Sequence, residues 1–438
     1  MRYIIAMNQS VDSKKYARYY AAVRYLESLG NISGGYQKTN LKSHPKPEMF
    51  LERMQDFLDL VGNPEVGFKY IHITGTAGKG SVAAAVHQSI VRAGKKSGLF
   101  TSPFTVSTIE KIQVGDKYID SLVFADILDE LKPMIDETIK SSRHGAPSYF
   151  ELMLALALVY FKKQRCEYVV LEVGLGGRYD ATNIIKKPII TAITNIGLDH
   201  TNILGNKRED IAWDKAGIIK RQSEFFTTEE NSRILNIFKS VCSEVGAEYH
   251  SLDVNGLDYA MRNLSLAGSI CGALGIANAP EEIGPMPQLP ARFEIVERNP
   301  IVIVDGAHNP SKIESTLFNL KNLRYRKLFL IIAVSVDKDW KTIMRLIAPR
   351  ADNIYVTRFS VSGRQSVSPD LLMKEAKKYC QVPSKVELRS DPVQAFNDAK
   401  KKLSKGDALL ITGSFYLAGD IRSLYYSEDR ILRRRKSF

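Results

Sequence analysis

Cysteine and tryptophan are scarce here: 438 residues hold four of the first and two of the second. Cys166, Cys242, Cys271 and Cys380 lie far apart, with no CxxC pair and no clustered histidine. That spacing disfavours structural zinc and a disulfide framework and fits a reducing cytoplasm. Long apolar runs are missing too, none reaching the roughly 18 residues that a membrane-crossing helix needs. The opening MRYIIAMNQSVDSKK has one arginine and too short an apolar run for a secretory signal. Acidic charge is in the minority, 48 Asp and Glu against 61 Lys and Arg, for a net +13. The excess favours anionic partners, and nucleotides or acidic small molecules satisfy it as well as nucleic acid does. The densest basic run, RILRRRKSF at 430–438, reads as a solvated tail.

What is present is an ordinary globular composition, 44% hydrophobic and 25% charged, in a chain long enough for two domains. Helical spacing marks 15–30 and 46–62, then KYIHIT reads as a buried strand and SVAAAVHQSIVRAG as a helix. The alternation continues with helix ELMLALALVYFKK and strands CEYVVLEVG and PIITAITNIG. A strand and a helix follow within 224–250, then the small-residue helix NLSLAGSICGALG. EEIGPMPQLPARFE packs three prolines and a glycine together and reads as a linker. Beyond it, strands PIVIVDG, KLFLIIAVS, NIYVTRF and DALLITGS and helix SKIESTLFNLKNL restart the pattern. The expectation is an α/β protein: a P-loop-containing open-sheet domain over 1–288, then a smaller Rossmann-like α/β domain over 289–438.

The stretch HITGTAGKGS carries the chemistry. Gly75, Thr76, Ala77, Gly78, Lys79, Gly80 and Ser81 have a shorter glycine spacing than a standard Walker A loop. The physics still holds, because glycines let N–H groups turn onto phosphate oxygens and a helix N-terminus favours the anion. Lys79 would reach the terminal phosphates and Ser81 could ligate Mg2+; the alternative is a glycine-rich turn with no ligand. In LEVGLGGRYDATN, Glu172 ends a hydrophobic strand, where an acidic residue can reach a metal or phosphate, or where Asp180 and Asn183 simply stabilise a turn. NIGLDHTNILG adds Asp199 and His200 after another strand.

In their order, these segments resemble the folylpolyglutamate synthase and dihydrofolate synthase family of the Mur ligase superfamily. The resemblance runs through GTAGKGS, FTSPFTVSTIEKI, SYFELMLALALVYF, EVGLGGRYDATN, DHTNILGNKREDIAWDKAGIIK, PARFE and DGAHNP, nearly the whole chain. It implies an ATP- and Mg-dependent amide ligase that phosphorylates a pteroate or folate carboxylate and then admits the amine of L-glutamate. By the same resemblance, Lys79 and the loop amides hold the β- and γ-phosphates, and Ser81, Glu151 and His200 ligate Mg2+. Glu172 is a weaker candidate, near the metal or the substrate carboxylate. Lys215 corresponds to the lysine that becomes a carbamate and supports a second Mg2+; unmodified, it would pair with Asp214 or a substrate carboxylate. Asn263, Arg292, Asp305 and His308 are implied as nucleotide contacts, with Arg292 directed at the transferring phosphate and Asp305 at ribose hydroxyls. Without the resemblance, Glu151 reads as a solvated or capping carboxylate and DGAHNP as a strand-to-helix turn capped by Asn309.

The chain departs from the family at Phe104, where the family has histidine, at Tyr259-Ala260 in place of His-Gln, and in PAR for PGR and WDKAG for SEKAG. AVSVDKDW keeps DKD without the preceding glycine. Dihydrofolate synthase and folylpolyglutamate synthase activity are not separated by these motifs. A Mur-type ligase for a different carboxylate and a non-catalytic nucleotide-binding relative are the alternatives. The expected partners are L-glutamate with dihydropteroate or a reduced folate, and neither nucleic acid nor membrane; family precedent leans to a monomer in the cytoplasm.

Overall fold

The computed structural model describes residues 14–29, 46–276, 282, 284–361 and 364–438. It divides into two compact units, Lys14–Pro103 with Thr108–Pro287, and Gln288–Phe438, with which Phe104–Ser107 groups.

In the first unit, α1 (Ala17–Leu29) and α2 (Met49–Val61) precede β1 (Lys69–Thr74). α2 buries Phe50, Met54, Phe57 and Leu58 at helical spacing and stops at Gly62, whose φ of 85° a larger residue resists. Then come α3 (Lys79–Arg92), β2 (Ser97–Phe100), β3 (Ile112–Val114), β4 (Lys117–Tyr118), α4 (Ser121–Ser141), α5 (Tyr149–Lys163) and β5 (Tyr168–Glu172). The unit continues with β6 (Ile190–Ile193), α6 (Thr201–Leu204), α7 (Arg208–Ala216), β7 (Glu224–Thr227), α8 (Ser232–Val245), β8 (Glu248–Ser251) and α9 (Tyr259–Ala273).

Its eight strands lie in the order β4-β3-β2-β5-β1-β6-β7-β8. All pairs from β2 to β8 are parallel, and β3 and β4 add an antiparallel edge. β1 and β5 are buried along nearly their whole length, as parallel strands covered on both faces must be. Among the elements that the sequence does not announce are β8 and α4. The 224–250 region is strand, helix and a second strand, β8, whose Glu-Tyr-His-Ser is half exposed and lacks an apolar run. α4 extends 21 residues through Pro133, opened by Asp120, whose side chain accepts the N–H groups of Leu122 and Val123.

The second unit holds β9 (Glu294–Arg298), β10 (Ile301–Val304), α10 (Pro310–Lys321), β11 (Leu328–Ile332), α11 (Trp340–Ile347), β12 (Asn353–Val356), α12 (Pro369–Tyr379) and β13 (Val386–Leu388). It ends with α13 (Pro392–Lys402), β14 (Ala408–Thr412), α14 (Phe415–Arg422) and α15 (Glu428–Arg434). The sheet order is β13-β12-β11-β14-β10-β9, parallel except where β9 pairs antiparallel with β10. Apolar residues of β10, β11 and β14 alternate between two cores, one on each face of this sheet.

The basic run at 430–438 is not a solvated tail. Residues 428–434 form α15, Ile431 and Leu432 are buried, and Ser437 is buried beside Arg422. Arg430, Arg433 and Arg434 flank these two apolar residues and mask them in the sequence.

Candidate active site

β1 sits in the middle of its sheet, flanked by β5 and β6, and the glycine loop leaves from its carboxyl end. Register decides what surrounds that loop. Ile73 pairs with Glu172 and Thr74 with Ile193, so Glu172 and the residues after Ile193 lie beside the loop. This is the end of a parallel sheet where ligands bind. Gly78, with φ 83°, opens α3 and leaves its first N–H groups facing out of the helix. Thr194 Oγ1 donates to the carbonyl of Ala77 at 2.5 Å, and the N–H of Ala77 donates to Asn195 Oδ1 at 2.9 Å. Thr76 and Gly197 exchange two further hydrogen bonds. These contacts shape the loop, and Thr194 and Asn195 went unsingled in the sequence, where TN after a strand is only a turn signal. Lys79 Nζ donates to the loop's own Gly75 carbonyl at 3.0 Å.

Asn263 is brought to the loop. α9 packs along α3, and a side chain on Gly78 would collide with the Asn263 amide. Glu172 is also brought there, with its carboxylate oxygens 3.1 and 3.2 Å from where a Cβ on Gly80 would lie. It is buried, and Oε2 accepts the N–H of Ser102 at 3.0 Å.

Glu151, expected as a metal ligand, is committed elsewhere. Its carboxylate accepts from Arg53 through Nε at 3.0 Å and through the terminal nitrogen at 2.9 Å, in a pair with both side chains buried. It also accepts the N–H of Ser148 at 2.6 Å, closing a capping box at the start of α5. Charge neutralisation by Arg53 and the needs of a helix terminus account for both oxygens. The carboxylate beside the loop is Glu172, not Glu151.

A cleft at this end of the sheet is lined by Gly75, Thr76, Lys79, Gly176, Asp199, His200 and Lys215, among others. His200 has left-handed backbone, φ 52°, and its N–H donates to Asp199 Oδ1 at 2.9 Å. Lys215 comes from α7, whose backbone presses against Gly177, where no side chain could fit. Its Nζ is buried within 3.5 Å of Thr74 Oγ1 and 3.4 Å of the Gly176 carbonyl. Burial, and then the nearby Lys79 ammonium, push the Lys215 amine down to about 7, against the pull of Asp214 and Asp199. Burial likewise raises the Asp214 carboxyl. Near pH 7 the Lys215 amine is therefore partly in its neutral, nucleophilic form.

Arg292, Asp305 and His308 all belong to the second unit. The Arg292 guanidinium lies 4.1 Å from the Phe415 ring centroid, and His308 meets the same ring edge-on. His308 Nδ1 donates to the Gly306 carbonyl at 2.7 Å while Nε2 accepts from Lys312 at 3.1 Å, which selects the neutral Nδ1–H tautomer. Asp305 is buried and accepts from Thr316 Oγ1. Burial raises its pKa, opposed by Thr316, Arg292 and the amides of Phe293 and Ala307. Its carboxylate therefore fastens the strand-to-helix turn, and Asn309 caps α10 through the N–H of Lys312. Among the described residues, a second group of possible metal donors, Glu224, Glu248 and His250, lies toward the amino ends of β7 and β8, the opposite end from the loop.

The model of the Mur ligase middle domain matches residues 73–266, and that of the Mur ligase glutamate ligase domain matches 291–415. A dihydrofolate synthase/folylpolyglutamate synthase of Bacillus subtilis (strain 168) is 28% identical over 412 residues, 85% of this chain and 94% of that protein. The crystal structure of folylpolyglutamate synthase from Thermotoga maritima is 28% identical, with TM-score 0.74 over 96% of this chain and 98% of that one. A bifunctional folylpolyglutamate synthase/dihydrofolate synthase crystallised with Mn, AMPPNP and L-glutamate matches at TM-score 0.73 and 24% identity, over 93% and 97% of the two chains.

Proposed function

The chain belongs to the folylpolyglutamate synthase/dihydrofolate synthase family, within the Mur ligase superfamily, and is an ATP-dependent glutamate ligase; we propose that it joins L-glutamate to the carboxylate of dihydropteroate or a reduced folate, using the cleft at the carboxyl end of β1. The observation that carries this reading is the convergence on one cleft of Lys79, His200 and Lys215, with Glu172 against the neighbouring loop residue Gly80.

A carboxylate oxygen of the acceptor attacks the γ-phosphorus of ATP, and ADP leaves. The glutamate amine then attacks the acyl phosphate carbon, loses a proton, and expels inorganic phosphate. Every participant in the first step is anionic, so the site must offset repulsion and hold the atoms in line. The loop N–H groups and Lys79 do this at the phosphates. Ser81, Glu172 and His200 would hold a divalent cation, whose chemistry is charge neutralisation on the phosphate oxygens. The donor set fits: a hydroxyl, a carboxylate crowding the residue before it, and an imidazole on the rim of the same cleft.

Lys215 is proposed to react with CO2 as its neutral amine. The amine would lose a proton as the N–C bond forms, leaving a carbamate anion where an ammonium would repel a second cation, with oxygens to serve as its ligands. The site of reaction is assigned to residues 1–288, with Asn263 beside the loop. From 289–438, Arg292 is proposed for the transferring phosphate, since its fork contacts two oxygens at once. Asp305 and His308 are proposed to shape the nucleotide-facing turn. Four uncombined thiols suit a reducing cytoplasm.

The test is phosphate release from MgATP and L-glutamate with dihydropteroate, dihydrofolate or tetrahydrofolate, with product mass measured. A gain of one glutamate on dihydropteroate establishes the first reaction, and a ladder on tetrahydrofolate the second. Phosphate release with none of the three overturns the folate assignment.

A further inference from the structure

Arg292 stands in an unusual turn. Ala291 and Phe293, on either side of it, both have left-handed backbone, with φ 52° and 47°. Non-glycine residues resist that conformation, so the surroundings must hold it. Three hydrogen bonds do so. Arg292 N–H donates to the Leu289 carbonyl at 3.2 Å, Gly306 N–H donates to the Ala291 carbonyl at 2.8 Å, and Ala291 N–H donates to Glu294 Oε2 at 2.8 Å.

The third bond needs a carboxylate in a place where no water reaches it, since Glu294 is fully buried. A charge there survives only with a partner. Arg422 is that partner: its Nε donates to the same oxygen at 2.7 Å, with both side chains wholly buried. Arg422 is fastened in turn by the Ser437 carbonyl at 2.9 Å and by the rings of Tyr426 and Phe438, at 4.5 and 5.2 Å from its guanidinium. Arg422 ends α14, and the same helix begins with Phe415, the ring under the Arg292 guanidinium. One helix thus grips Arg292 twice, through its side chain at one end and through its turn at the other.

We propose that the buried Arg422–Glu294 pair, held shut by the Ser437–Phe438 segment, positions Arg292 for the transferring phosphate. This rests on the role given to Arg292 above. Arg422 and Glu294 are positioning residues and touch no substrate.

The experiment is a double-mutant cycle on the full chain, with kcat and the KM for ATP measured alongside thermal unfolding. Arg422→Lys keeps a cation but loses the fork, and Phe438→Ala loosens the same clamp from an exposed position, so one folded variant is secured. Each is made alone and with Arg292→Lys. Positioning predicts that either clamp variant lowers kcat by roughly tenfold with the KM for ATP changed less, and that this loss disappears when Arg292 is already replaced. Losses that multiply in the double variants, or clamp variants with unchanged kcat, overturn the proposal. If Arg292→Lys alone leaves kcat unchanged, the role of Arg292 in the reaction is what fails.

Discussion

The carboxylate of Glu172 occupies the space into which a side chain on Gly80 would grow, 3.1 Å from the ideal Cβ position. Gly80 has ordinary helical backbone, so its lack of a side chain serves the neighbour and not its own φ. Gly80→Ala should therefore separate activity from stability. Alanine favours the helix by up to about 1 kcal/mol, whereas displacing Glu172 by a few tenths of an ångström disturbs the proposed cation site. The expected result is kcat lowered by roughly tenfold or more at an unchanged or raised unfolding temperature. Equal losses in both would show that the contact is merely steric.

The two glutamates should fail in different ways. Glu151→Gln breaks a buried ion pair with Arg53 and should cost about 3 kcal/mol in urea unfolding while leaving the Mg2+ dependence of the rate in place. Glu172→Gln should leave stability nearly unchanged and shift the Mg2+ titration to higher concentration. A Mg2+ shift with Glu151→Gln and none with Glu172→Gln would place the cation at Glu151 instead.

Lys215 gives a prediction with a sign in pH. Its amine, pushed down to about 7 by burial, is protonated at lower pH and cannot add CO2. Enzyme stripped of CO2 at pH 6 should be poorly active, and bicarbonate should restore it more readily at pH 8 than at pH 6. Lys215→Ala should lose on the order of 100-fold in kcat and recover part of it with acetate, whose carboxylate can occupy the vacated space. Full activity in Lys215→Ala would exclude a carbamate role.

Acid should weaken the first unit. His72 and His87 are buried, and burial pushes their pKa values down to about 3 and about 4. In the unfolded chain both rings protonate near 6.5, so below that pH the unfolded state binds more protons than the folded one. Their contribution is therefore complete above about pH 6.5 and is lost as pH falls toward the folded values. Between pH 7 and 5 the loss should be about 2 kcal/mol for each ring. His87, bonded to Ser97 Oγ and the Gly115 carbonyl, is the cleaner probe: His87→Gln should flatten the pH dependence of the urea midpoint. An unchanged slope would mean that the ring is not kept neutral.

The β1–loop–α3 unit was legible in KYIHITGTAGKGSVAAAV because every signal is local: an apolar run, glycines at the turn, a helix beyond. So were β1, β5, β6 and β7 of the first sheet and β10, β11, β12 and β14 of the second, whereas β2, β3, β4, β8, β9 and β13 carry no comparable apolar run. What could not be read was set by register and by distant partners. Whether Glu151 or Glu172 faces the loop depends on the pairing of Ile73 with Glu172 and on Arg53, 98 residues before Glu151. The basic run at 430–438 looked solvated because its burial depends on Arg422 and on Glu294, 128 residues before Arg422.

The pairing of β5 with β1 also limits how this chain can change in length. Its surface turns can gain or lose residues with little effect on the sheet. Within β5 a single inserted residue would turn Glu172 to the opposite face and move it one step along from Gly80, because side chains alternate along a strand. Variation in length should then gather in the connections, and β1 and β5 should keep the same number of residues in any functional form of the protein.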